Sequence, residues 1–123
     1  MRTRVRRPNN LLAQWAEVTA VDFNKEGMAF VSEEEFEIGE TLLLRMSVTM
    51  THSQIEADKV IAVVRSRKKQ GPASRYGVQF SFEASRLMRS VTLQATLGRI
   101  EGIMDRSLKQ QLRTRLPESY PSQ

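Results

Sequence analysis

Apolar and polar residues alternate most cleanly between Leu42 and Thr51. Leu42, Leu44, Met46, Val48 and Met50 share one parity, and Arg45, Ser47, Thr49 and Thr51 share the other. This spacing predicts a strand with one buried face. A second clear alternation sets Tyr76, Val78, Phe80 and Phe82 against Arg75, Gly77, Gln79 and Ser81. Between them, Ile55 to Arg67 reads as a long strand that changes parity. Ile55 and Ala57 have one phase, and Val60, Ala62 and Val64 have the other. Either a bulge lies near Asp58-Lys59, or the strand is buried on both faces, because Ile61 and Val63 also need cover. Residues 13–21 form an earlier strand whose register stays open, since Trp15, Val18 and Val21 do not alternate evenly. Met28 to Val31 resumes a short apolar strand.

Turn chemistry separates these runs. Asp22-Phe23-Asn24-Lys25-Glu26-Gly27 combines Asp and Asn, which bond to nearby backbone, with a glycine. Ser32 to Glu40 is a solvated loop carrying Glu33, Glu34, Glu35, Glu37 and Glu40 around Phe36 and Ile38, closed by Gly39. Thr51-His52-Ser53 is a turn, with His52 an inert surface residue, and Arg67 to Pro72 is a polar hairpin tip. After Phe82 the period lengthens. Leu87, Met88, Val91 and Ala95, then Leu97, Ile100 and Met104, recur every three or four residues. They predict one helix, with a break near Gly98 or Gly102 and a further helical stretch toward Leu112. Pro117 and Pro121 bracket a polar tail that reads as disordered.

Strands followed by a terminal amphipathic helix give a mainly β or α+β fold, a small antiparallel barrel capped by a helix. The chain divides into a flexible Arg-rich arm (1–10), a barrel with its helix (11–100), and a helical extension with a disordered tail (101–123). No internal repeat is present.

Charge changes this picture at one end only. The 123 residues carry 19 basic and 14 acidic side chains, a net charge of +5. Arg2, Arg4, Arg6 and Arg7 supply +4 of that, so the rest of the chain is nearly neutral at 15 − 14 = +1. A polyanion-coating protein is disfavoured, and a local anion site at one end is favoured. The absence of cysteine excludes disulfides and thiolate chemistry, and a single histidine excludes a His-rich metal site. No nucleophile–base pair and no glycine-rich phosphate loop is present, so the expectation is a non-enzymatic protein without a cofactor. No apolar run approaches the ~20 residues of a membrane span. Residues 8–17 do not form the continuous apolar segment of a signal peptide, which gives a cytoplasmic expectation.

Two segments can carry ligand chemistry. In Arg2-Thr3-Arg4-Val5-Arg6-Arg7, guanidinium forks can grip phosphate, meet the guanine O6/N7 edge, or stack on a purine. In the 22–27 turn, the Asp22 carboxylate beside the Asn24 amide can accept guanine N1–H and N2–H₂, and Gly27 allows close backbone approach.

Together these segments resemble the PilZ domain family. Its signature is RxxxR in an N-terminal arm, then a strand, then [D/N]xSxxG. Arg2 and Arg6 fit the first motif. Asp22 to Gly27 fits the second, with Asn24 in place of serine. Tyr76-Gly77-Val78-Gln79-Phe80 is similar to the family's late barrel strand, and an amphipathic helix follows it. The resemblance covers roughly residues 2–100. It implies a β-barrel receptor for the bacterial second messenger cyclic di-GMP. Arg2 and Arg6 would hold phosphates and guanine edges, helped by Arg7 and Arg4, while Asp22 would contact a guanine. Asn24 would stand where a hydroxyl is usual, and Gly27 would close the motif. The signal would pass to an unidentified partner protein as the arm orders over the barrel.

The alternative is a degenerate PilZ adaptor that binds protein without nucleotide, docking through the arm or the terminal helix. An RNA- or single-stranded-DNA-binding barrel is disfavoured by the neutral body and by aromatics at core-like positions. Leu97, Ile100, Met104, Leu108 and Leu112 could cap the barrel or pair two chains, which leaves monomer and homodimer open.

Overall fold

The computed structural model describes residues 1–8 and 14–119, with side chains of the final helix described as far as Arg106. Six strands and one helix follow in chain order: β1 (Arg2–Arg6), β2 (Ala16–Asn24), β3 (Gly27–Ser32), β4 (Thr41–Thr49), β5 (Gln54–Gln70), β6 (Ala73–Phe80) and α1 (Val91–Ser119). The strands close into a barrel in the order β1-β2-β3-β6-β5-β4. Every pairing is antiparallel.

The first element corrects the expectation of a flexible arm over 1–10. Arg2–Arg6 is a barrel strand, hydrogen-bonded to β2 on one side and β4 on the other. Thr3 and Val5 point inward and are each 1% exposed, while the arginines between them face out. Burying one valine contributes about 1.5–3 kcal/mol. That burial, with paired backbone on both edges, outweighs the repulsion among neighbouring guanidiniums. Residues 9 and 10 of the expected arm lie outside the described residues.

Bulges give the strands the bend that closure needs. On β5, Asp58 and Lys59 together face Arg45 of β4, with Lys59 at φ 55°. This accounts for the parity change along β5, and of the two readings it selects the bulge. Arg65 is a second extra residue on β5, facing the Gly77–Val78 step of β6. Val21 is an extra residue on β2 between Ala20 and Asp22. The uneven spacing of Val18, Val21 and Phe23 follows from it, because Val18 leans inward before the bulge and Phe23 is buried after it.

The barrel interior centres on Phe30, Phe36 and Tyr76. The Phe36 and Tyr76 rings meet edge to face with centroids 5.2 Å apart. The Tyr76 hydroxyl accepts from Phe36 N at 3.0 Å and donates to Glu34 O at 3.0 Å, which ties the acidic loop to β6. Of the two apolar residues expected inside that loop, Phe36 is buried and Ile38 is 64% exposed. Gly39 turns the loop at φ 93°, a left-handed conformation that favours glycine.

The helix face also differs from the spacing reading. Ser90 Oγ accepts from Leu93 N at 3.0 Å, an N-cap that starts α1 at Val91. The start sets the phase. Leu93, Leu97 and Ile100 are buried against the barrel, whereas Leu87 and Val91 are exposed. Met88 reaches the core from the preceding turn. The helix runs without a break at Gly98 or Gly102 and continues to Ser119, beyond the point where a disordered tail was expected. Residues 120–123 lie outside the described residues.

Two glycines give opposite expectations. A Cβ on Gly27 would sit 2.4 Å from the Val78 carbonyl oxygen, so β3 could not keep its approach to β6. Gly27→Ala should lower unfolding free energy by about 1–3 kcal/mol, the usual range for overpacking. A Cβ on Gly98 meets nothing within 4 Å. Gly98→Ala should raise stability by about 0.5–1 kcal/mol. Urea midpoints of the two variants against the unmodified chain check both signs.

Candidate functional site

The segment read as turn chemistry is mostly strand. β2 reaches Asn24, β3 starts at Gly27, and only Lys25-Glu26 forms the connection. Asn24 shapes that connection with its own side chain. Its Oδ1 accepts from Glu26 N at 2.7 Å and from Gly27 N at 3.0 Å. The side-chain oxygen is thereby used for the hairpin, and the amide NH₂ is the group left for other contacts. Asp22 follows the Val21 bulge and is exposed, with Oδ1 accepting from Phe23 N at 2.9 Å.

A groove of about 380 Å³ opens beside this hairpin. Asp22, Asn24 and Gly27 line it from β2 and β3, and Arg65, Ser66 and Gln79 line it from β5 and β6. Gly77 lines it as well, and the space a side chain would take at Gly27 and at Gly77 is filled by the Val78 carbonyl oxygen and by Ser66 Oγ respectively. A Cβ on Gly77 would meet Ser66 Oγ at 2.4 Å. Arg65 is the bulged residue, and its Nε donates to Gln79 Oε1 at 3.1 Å. One cation, carboxylates and two amides therefore converge on one opening.

Arg65, Ser66 and Gln79 were not anticipated as site residues. An isolated glycine inside an alternating strand, Gly77, was the available signal, since it marks close approach of another group. Which group approaches depends on the β5–β6 register.

The arginines of β1 lie elsewhere. Thr3 pairs with Val18 and Val5 with Ala16, so Arg2 lies nearest the hairpin end of β2 and Arg6 nearest its start. At about 3.3 Å per residue, Arg6 is roughly 23 Å along the strand from Asp22, and Arg2 roughly 10 Å. The structure thus gathers Asp22, Asn24 and Gly27, leaves Arg2 within long side-chain reach, and separates Arg6 and Arg7. Arg2 Nε bonds Glu17 Oε1. Arg6 lies over the Trp15 ring, 4.8 Å from its centroid.

Arg7 is tied to the acidic loop. Nε meets Glu40 at 2.5 Å, Nη1 meets Glu34 at 2.8 Å, and the guanidinium lies 4.7 Å from the Phe36 centroid. The hydrogen bond that Arg7 donates to Glu40 raises the Arg7 pKa above its ordinary value, and partial burial opposes this more weakly.

A closed antiparallel barrel with a ligand-sized polar groove is the architecture of a binding module. The family model that matches is the PilZ domain, over residues 2–98, and the chain belongs to that family. PilZ domains are cyclic di-GMP receptors and adaptors, and they are binding domains. No curated protein and no solved structure gave a significant match. Among the described residues, no helix is long and apolar enough to cross a membrane.

The hairpin role of Asn24 gives a graded expectation. Asn24→Asp keeps the accepting oxygen and should stay within about 0.5 kcal/mol of the unmodified chain. Asn24→Ala strands the Glu26 and Gly27 amides and should cost about 1 kcal/mol. Thermal unfolding of the pair reads the difference as a shift of several degrees in Tm.

Proposed function

We propose that this PilZ protein is a receptor that binds cyclic di-GMP at the hairpin groove and relays the signal to a partner protein. The observation that carries the reading is the lining of the groove. The Asp22 carboxylate suits the N1–H and N2–H₂ edge of a guanine, and the Asn24 NH₂ suits a guanine or phosphate acceptor. The Arg65 guanidinium suits a phosphate. Arg2 is the β1 arginine best placed to assist. Relay through ordering of residues 1–10 is weakened as a mechanism, since β1 is already paired on both edges. Changing the charge presented by the groove is the simpler signal.

A second reading, an adaptor that binds protein without nucleotide, is favoured by one specific observation. Arg7 is engaged by Glu34 and Glu40, and Arg6 stacks on Trp15, so neither is available to the groove without rearrangement.

Calorimetric titration of the full chain with cyclic di-GMP separates the readings. The receptor reading expects saturable heat, at least tenfold weaker binding in Asp22→Ala and Arg65→Ala, and little change in Arg6→Ala. No heat from the unmodified chain rejects the receptor. Heat gained on Asn24→Ser in that case identifies an adaptor that lost its ligand through the serine position.

A further inference from the structure

On the opposite side of the barrel from the groove, the outer wall of β1 and β4 carries a second constellation. Arg2, Arg4 and Arg6 face outward along β1. Arg4 is paired directly across from Arg45 on β4. Like charges in that position destabilise a sheet. The fold offsets only part of this. Arg45 Nε donates to Asp58 Oδ1 at 2.7 Å, and Glu17, the cross-strand partner of Arg4, is taken by Arg2. Among the described residues Arg4 and Arg6 have no ion pair, and the buried Arg6 Nε has no acceptor. Trp15 stacks with two of these arginines, the Arg6 and Arg45 guanidiniums lying 4.8 and 4.5 Å from its ring centroid.

We propose that this wall is a docking surface for an extended acidic segment of a partner protein, with carboxylates at alternate positions. The argument is charge and spacing. Arg4 and Arg6 are two residues apart on one strand, so their side chains leave the wall about 6.6 Å apart. Carboxylates at i and i+2 of an extended peptide have the same repeat, and each would meet one unpaired guanidinium. Docking would relieve the Arg4–Arg45 repulsion. A continuous phosphate backbone fits less well. Glu17, Glu56 and Asp58 stand on the same face, so every phosphate path past the arginines also passes carboxylates. The surface is independent of the groove and stands whether or not a nucleotide binds there.

Trp15 is the chain's single tryptophan, so its emission reports this wall alone. The experiment titrates the full chain with a pentapeptide alternating glutamate and serine, and separately with oligothymidylate, following Trp15 fluorescence. The expected result is a saturable change with the peptide, weakened at least tenfold in an Arg4→Gln, Arg6→Gln double variant and unaffected by Arg99→Gln on α1. Glu17→Gln removes the acid that competes for this wall and should tighten binding severalfold. That gain keeps the test decisive if the double variant folds poorly. Absence of a saturable change, an equal loss in Arg99→Gln, no gain in Glu17→Gln, or tighter binding of oligothymidylate would each overturn the proposal.

Discussion

Closure of the barrel by β1 is the constraint on which the other features rest. Without that strand, β2 and β4 would each present a free edge, with unpaired amides and carbonyls and an open end to the core. Thr3 and Val5 fill that opening, and the backbone of Arg2–Arg6 satisfies both neighbours. Inward alternation commits the intervening residues to the outside. Arginine at those positions therefore becomes a charged wall, fixed by the same pleat that closes the core.

Closure also sets the positions of the bulges. A six-stranded sheet must bend sharply to meet itself, and each bulge both bends a strand and re-aims a side chain. At Val21 the shift turns Phe23 inward and leaves Asp22 exposed at the groove. At Arg65 it brings a cation to the same opening. At Asp58-Lys59 it brings a carboxylate to Arg45, which lies over Trp15. The polar features on both sides of the molecule are thus consequences of how the wall was curved. The acidic loop after β3 follows a related logic. Arg7 pairs with the Glu34 and Glu40 carboxylates and the Tyr76 hydroxyl donates to the Glu34 carbonyl, so a run that looks freely solvated lies over the core at Phe36.

Parts of this were readable residue by residue. The alternations in β4 and β6, the parity change at Asp58-Lys59 and the switch to a helical period after Phe82 are local properties of a half-buried chain. The Asp22 to Gly27 motif was likewise legible, since Asn24 acts on amides two and three residues away. The β1 assignment was obscured because three arginines flank Thr3 and Val5, and charge density resembles a solvated tail whether or not the backbone is paired. The helix phase was misread at Leu87 and Val91 because the Ser90 cap, and not the apolar spacing, sets where α1 begins.

By itself, the sequence determined five of the six strands, the helix, the hairpin motif and the concentration of positive charge at one end, because each depends on neighbours within a few residues. Only the tertiary structure decided that the charged end is a barrel strand, and that Arg65, Ser66 and Gln79 join Asp22 and Asn24 at one groove. It also decided that Arg45 and Trp15 stand with Arg4 and Arg6 on the other side. Those outcomes come from pairings between residues far apart in the chain, where register and closure place a side chain and composition does not.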